Sequence, residues 1–286
     1  MQSGAIRPLN NMLPRNLFNT EHEAFRETVR KFYAKEVVPN IEKYEQQQHV
    51  DRELWNKAGT MGLLCATMPE AYGGSGVDRL YSMILIEEQA YAMDSSTGFS
   101  LHSDIVANYI NNFGSEAQKH YWLTRMASGE TVTAIAMTEP GTGSDLQAVR
   151  TTAVLDGDDY IINGSKIFIT NGYLCDMAIV VCKTGDSEKG SANLSLIIVE
   201  ADRAGFSKGK PLNKIGMKGQ DTCELFFDHV RVPKENLLGM EGMGFMMLMK
   251  ELAWERMLVA IICQAGAEAA LAHTVQYTKE RKAFGK

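Results

Sequence analysis

The sequence predicts an α+β protein in three parts. An all-α N-terminal domain covers 1–129, an antiparallel β-sandwich or small barrel 130–239, and the start of a C-terminal helical-bundle domain 240–286. Three observations predict this. Apolar residues recur at helical spacing as far as Gly129 and then stop. Strand-like runs then follow one another without intervening helices, which favours an antiparallel sheet over a doubly wound parallel one. From about Glu241 the chain becomes rich in Met, Leu, Ala and Glu, a helical composition.

The elements follow in order. Thr20 with Glu23 fits a capping box ahead of Phe25, Val29, Phe32 and Val37 at helical spacing. Further helical patterns cover 54–64, 80–91, 105–113 and 116–127, and the turn PEAYGGSG (69–76) separates two of them. In the middle part, Asn163-Gly164 between YII and KIFIT predicts a hairpin. Other strand candidates lie at 131–136, 177–182, 194–200 and 223–232. The last part ends at Lys286 without closing a domain, since one or two helices cannot make a bundle core, and the chain reads as cut short.

Net charge is −6, so electrostatic affinity for nucleic acid or anionic lipid is not expected. No apolar run approaches the ~18 residues that span a bilayer. Residues 1–18 contain Arg7 and Arg15 but no long apolar core, and read as a weakly ordered tail rather than a signal peptide. The five cysteines, Cys65, Cys175, Cys182, Cys223 and Cys263, are far apart and form no CxxC, which points to a reducing compartment. No HExxH or clustered Cys/His set suggests a metal.

Two stretches carry chemistry. MTEPGTGSD (137–145) packs glycines and small polar residues behind a strand, where backbone commonly approaches a ligand. It matches neither GxGxxG nor GxxxxGK[ST], so a nucleotide held there is not held in the Rossmann manner. The competing reading is a polar bend leaving a strand. In LMKELAWERMLVAII (248–262), spacings of four, three, four and three align Leu248, Leu252, Glu255, Val259 and Ile262 on one stripe. Glu255 is then a carboxylate among apolar neighbours, and burial would make it a stronger base. From spacing alone, a carboxylate at the stripe's edge paired with a lysine or arginine is the reading slightly ahead.

Four motifs then stand in order: AIAMTEPGTGSD (134–145), KIFITNG (166–172), KIGMKGQDT with HVRVPKENLLG (214–239), and ERKAFGK (280–286). PEAYGG and the segment from SLHSD to NNFGSEAQK (100–119) support them. Together they resemble the acyl-CoA dehydrogenase family over nearly the whole chain. MKELAWER, QDTCELFF and EEQAYAMDSSTGFSLHSD look nearest the long-chain branch.

The resemblance implies FAD and a fatty acyl-CoA meeting between the β domain and the last helical domain. It places Ile135, Met137, Thr138, Gly143 and Ser144 at the flavin, with Ser144 also reaching the CoA chain. Phe168, Ile169 and Thr170 would flank the flavin ring, Phe168 where most members carry Trp. Arg281 and Phe284 match residues that contact FAD of a neighbouring subunit, although as the end of a helix with Gly285 as C-cap they need no ligand. Most members carry the catalytic glutamate much later, but the long-chain and isovaleryl branches place it at Glu255. Arg256 resembles the arginine at the mouth of the acyl-CoA channel. Met246 resembles a substrate-contacting position, although it lies about half a turn out of phase with Glu255.

By resemblance, Glu255 removes an α-proton and a β-hydride passes to flavin N5, giving the trans-2-enoyl-CoA from a medium-to-long chain. The resemblance also implies an electron-transfer flavoprotein as electron acceptor, a homotetramer, and a location in bacterial cytoplasm or mitochondrial matrix. A flavin-dependent acyl-CoA oxidase and a non-catalytic fragment are the competing readings.

Overall fold

A computed structural model describes residues 15–185 and 193–285; most of the N-terminal segment read as a tail, residues 1–14, lies outside them. Helix α1 (Thr20–Phe32) starts at Asn19, whose side chain accepts from the His22 N–H at 3.0 Å, while the His22 ring accepts from the Asn19 N–H at 3.2 Å. The capping box thus sits one residue before the predicted Thr20–Glu23 pair. Asparagine caps better than threonine, and a ring nitrogen takes the place of the glutamate oxygen.

Helices α2 (Ile41–Gln47), α3 (Arg52–Thr60) and α4 (Arg79–Tyr91) follow. α4 is buried on nearly every side because α1 packs on it and so does the long α8 (Gly244–Glu280). Its buried Glu87 and Glu88 are met by Arg26 and Arg30, at 2.7 and 2.8 Å. The predicted helix 116–127 is interrupted by a π-helical turn, Lys119–Leu123, between α6 (Glu116–Gln118) and α7 (Thr124–Ala127). Another, Leu101–Val106, leads into α5 (Ala107–Phe113).

The middle domain is one eight-stranded sheet: β1 (Thr133–Ala136), β2 (Thr152–Asp156), β3 (Asp159–Thr170), β4 (Met177–Lys183), β5 (Leu194–Glu200), β6 (Phe206–Lys208), β7 (Thr222–Pro233) and β8 (Leu237–Leu238). Its order is β6-β7-β3-β2-β4-β5-β8, with β1 beside β4. The ladders β2–β3, β3–β7, β4–β5, β5–β8 and β6–β7 are antiparallel as expected. β1 runs parallel to β4, and β2 meets β4 in parallel at Thr152 and Lys183. A long excursion separates β1 from β4 in sequence, which leaves room for the crossover that a parallel pair needs.

The predicted hairpin moves. β3 runs straight through Asn163-Gly164, and the reversal lies between β2 and β3 at Gly157, φ +66°. Gly164 instead marks a register shift against β7, with φ +151°, and a Cβ there would stand 2.5 Å from Thr151 Oγ1. Close packing, not a turn, requires this glycine.

β4 is buried on both faces. Met177, Ile179 and Val181 join Tyr109, Ile110 and Leu123 from the helices, while Ala178, Val180 and Cys182 join Ile162, Cys223 and Leu225 from the other strands. Such double burial suits a continuous apolar strand. At the seam between helices and sheet, fully buried His102 contacts the Met126 carbonyl through Nε2 at 3.1 Å and the Thr133 hydroxyl through Nδ1 at 2.9 Å. A carbonyl only accepts, so Nε2 carries the proton and Nδ1 accepts from Thr133.

α8 corrects the expectation about apolar length. Its 37 residues are long and apolar enough to cross a membrane by length and composition alone, because scattered polar residues break a run yet barely lower an average. Its buried positions, from Gly244, Met247, Leu248 and Glu251 to Leu258, Ala265, Ala269 and Ala272, follow the three-four spacing of a helix packed on protein. At Ala265 and Ala269 it meets Ala90 and Tyr91 of α4.

Burial pushes the His102 imidazole down to about 4, against the raising effect of the Met126 carbonyl. A histidine held neutral in the fold stabilises above its ordinary value near 6.5 and loses that stabilisation as pH falls toward 4. The urea midpoint should therefore drop between those pH values, and His102→Gln should flatten that slope.

Candidate active site

The loop after β1 is organised from within by Glu139. This carboxylate accepts from the Arg150 N–H at 2.7 Å, the Thr151 N–H at 2.9 Å, the Thr151 hydroxyl at 2.6 Å and Lys166 Nζ at 2.8 Å. Lys166, fully buried on β3, also donates to the Met137 carbonyl at 3.0 Å. Burial tends to raise the Glu139 carboxyl, but the hydrogen bonds from Lys166 and Thr151 outweigh it and hold the group below the usual carboxylate range. Burial draws the Lys166 ammonium below its ordinary value in spite of Glu139. Neither residue was assigned a role from sequence, although both lie inside the quoted motifs.

This internal pair leaves the rest of the loop facing outward. Gly143 and Ser144 are exposed, and a Cβ at Gly141 or Gly143 would meet nothing within 4 Å. Thr138 is half-buried, and its carbonyl accepts from the Ile167 N–H at 2.9 Å, which ties the loop to β3. Its hydroxyl has no hydrogen-bond partner among the described residues. One residue further along β3, Phe168 has φ +61° and a ring 63% exposed, between half-buried Ile167 and buried Ile169. A bulky residue in left-handed backbone is a local strain. Here it turns an aromatic ring out of the sheet beside the Thr138 loop. Thr170 is half-buried.

Glu255 lies on α8 where that helix crosses α5. The Tyr109 hydroxyl donates to Glu255 Oε1 at 2.7 Å, and one turn earlier on α8 Asn112 Nδ2 donates to Glu251 Oε1 at 2.8 Å. Burial raises the Glu255 carboxyl above its ordinary value and the negative charge of Glu251 adds to this, while the Tyr109 hydrogen bond opposes it. The predicted apolar stripe is not the cause, because Leu252 and Val259 are exposed. Tyr109 is fully buried, and it is α5 that recesses Glu255. The loop and this carboxylate rest on one core: Ile135, Tyr109, Met247 and Leu248 belong to a single cluster, with Met137 and Leu146 packed against it.

The other expected residues divide. The side chains of Ile135 and Ile169 are buried in the core, so only their main chain can meet a ligand. Arg256 is exposed beside Glu255 and has no partner among the described residues. Met246 is 60% exposed on the rim of an apolar hollow of about 710 Å³ that also includes Met240, Met243 and Phe113. Arg281 and Phe284 are exposed past the end of α8. At 1.5 Å per residue, Arg281 lies about 39 Å along the axis from Glu255, so the structure does not bring it to the Glu255 cluster.

Comparison with known proteins gives the family of the chain. The chain belongs to the acyl-CoA dehydrogenase family, whose N-terminal, middle and C-terminal domains match residues 19–130, 134–230 and 242–286. That makes it a member of an oxidoreductase family acting on acyl-CoA. It is 49% identical over 287 residues to the mitochondrial long-chain specific acyl-CoA dehydrogenase of Sus scrofa, an alignment covering 100% of this chain and 67% of that protein. The crystal structure of acyl-CoA dehydrogenase from Geobacillus kaustophilus matches with a TM-score of 0.92 and 47% identity, over 95% of this chain and 72% of that one. The acyl-CoA dehydrogenase of Bacillus anthracis, solved in complex with FAD, matches with a TM-score of 0.86 and 33% identity, over 99% of this chain and 47% of that one.

Lys166→Met would strand Glu139 inside the loop without its cation. Removing one member of a buried pair costs about 3 kcal/mol. The loss should appear in urea unfolding at pH 7 and shrink in acid, where burial makes a Glu139 without its cation take up a proton more readily than the paired group does.

Proposed function

We propose that this chain dehydrogenates medium-to-long fatty acyl-CoA to the trans-2-enoyl-CoA, with FAD held by the loop and β3 and with Glu255 as the base. The observation that carries this reading is the recessed Glu255 carboxylate, bonded to a neutral hydroxyl and resting on the same core as the loop. A paired lysine or arginine would have favoured a structural role. No ion pair to Glu255 occurs among the described residues.

The residues present suit a flavin. The Thr138 hydroxyl is half-buried with no partner of its own among the described residues, the Phe168 ring stands exposed beside it, and the glycines leave open space. Thr138, Gly143 and Ser144 would donate along the ligand, with Met137 and the main chain of Ile135 and Ile169 behind them, and Phe168 and Thr170 would flank its ring. When bound, FAD supplies the acceptor for the hydride that leaves the β-carbon.

Glu255 takes the α-proton. Burial helps by making the carboxylate a stronger base than an exposed glutamate. Tyr109 holds one carboxylate oxygen, which leaves the other for the proton. Exposed Arg256 and Ser144 would meet the anionic and polar parts of CoA, and Met246 enters only as the rim of the apolar hollow. The distance of Arg281 and Phe284 from Glu255 favours service to the FAD of a neighbouring subunit, within a homotetramer. An electron-transfer flavoprotein would collect the electrons, and five free cysteines suit a reducing compartment.

Glu255→Gln is the direct test. The variant should retain FAD, as judged by visible absorption, while flavin bleaching by a medium- or long-chain acyl-CoA slows by at least about 10²-fold. An unchanged bleaching rate would place the base on another residue.

A further inference from the structure

Glu251 is a buried carboxylate without a cation. It is 5% exposed, and its hydrogen-bond partner is the neutral amide of Asn112 at 2.8 Å. No lysine, arginine or histidine lies within ion-pair distance of it among the described residues. Neighbouring Lys250 lies over the Phe113 ring instead, 5.2 Å from its centroid. Buried carboxylates ordinarily find a counter-charge, and glutamine would accept the same Asn112 bond without the cost of a second negative charge. Packing therefore does not account for the acid.

What Glu251 does have is a second acid one turn away. Residues four apart on a helix face each other, and like charges there repel. The same crossing of α5 over α8 places Tyr109 against Glu255 and Asn112 against Glu251, three residues apart on one helix and four apart on the other.

We propose that Glu251 and Tyr109 are opposed positioning residues that set the basicity of Glu255: the Glu251 charge makes Glu255 hold a proton more tightly, and the Tyr109 hydroxyl steadies its carboxylate. The proposal rests on Glu255 being the base. A base for a weakly acidic α-proton has to be strong yet still ionised when substrate arrives, and neither influence alone meets both demands. Burial and the charge of Glu255 push the Tyr109 hydroxyl far above its ordinary range, so it stays a donor throughout.

Among the described residues, the other elements packed on α8 bring no rival influence. Arg79 of α4 stacks on the Trp254 ring, 4.4 Å from its centroid. Asp104 of the π-helical turn is hydrogen-bonded to Ser82. Glu200 of β5 is tied to Arg203 and Asn236. Glu268, further along α8, accepts from Tyr91. Arg256, the next residue on α8, is exposed. Among the described residues, Glu251 and Tyr109 are the groups that act on the Glu255 carboxyl beside burial.

The test is carbon-13 NMR of holoenzyme labelled at its glutamate carboxyls, with the Glu255 signal identified by its loss in Glu255→Gln. Glu251→Gln should move the Glu255 midpoint to lower pH and Tyr109→Phe to higher pH, with the double variant in between. The pH limb of kcat should move in the same directions, with little change in KM. A Tyr109→Phe midpoint at or below that of the wild type overturns the proposal by itself, as does a Glu251→Gln midpoint at or above it. Midpoints that move as expected while the kinetic limb stays fixed support the opposed pair and remove Glu255 as the base.

Discussion

One crossing of helices governs this site. α5 meets α8 where Tyr109 reaches Glu255, and that contact turns an acid on a half-covered helix into a recessed, hydrogen-bonded group. Tyr109 is itself fixed from below, because its ring belongs to the cluster containing Ile179 and Val181 of β4. A shift of β4 would move the tyrosine, and a displaced tyrosine would return Glu255 to water. The packed sheet thus reaches the Glu255 carboxylate through one aromatic side chain, as close packing of interiors makes possible.

The loop is held by the opposite device. Its polar exterior stays open because its polar interior is closed, with Glu139 satisfied by two backbone amides, a hydroxyl and Lys166. A buried ion pair contributes little to stability by comparison with apolar packing, but it fixes geometry when every group is paired. Lys166 also bonds to the Met137 carbonyl, so β3 sets the height of the backbone from which Thr138 projects.

How much of this was legible in the sequence follows from the range of each interaction. The three-part division, most helices and β5 were readable because periodicity is local. The Asn163-Gly164 hairpin was misread because the dipeptide that favours a turn also suits a strand where Thr151 packs against a missing Cβ, and only tertiary structure tells the two apart. The Thr20–Glu23 box lost to Asn19–His22 because two candidate caps lay side by side. The recess of Glu255 was legible only in part: the stripe gave its helix face, while its burial comes from α5, 146 positions away in sequence. Tyr109 left no local signal. Glu251 did, as an acid one turn before another acid on the same helix.

The exposed part of the stripe has a consequence of its own. Leu252 and Val259 flank Glu255 with apolar surface open to water. Any apolar group that settles there, an acyl chain included, removes water from the carboxylate oxygen that Tyr109 does not hold. Burial is already the largest influence raising Glu255, so each further water displaced strengthens the base. Tyr109 limits that rise, since its hydrogen bond also strengthens as water leaves. The basicity of Glu255 is then coupled to occupancy of the face it stands on, and is greatest when a hydrocarbon covers it.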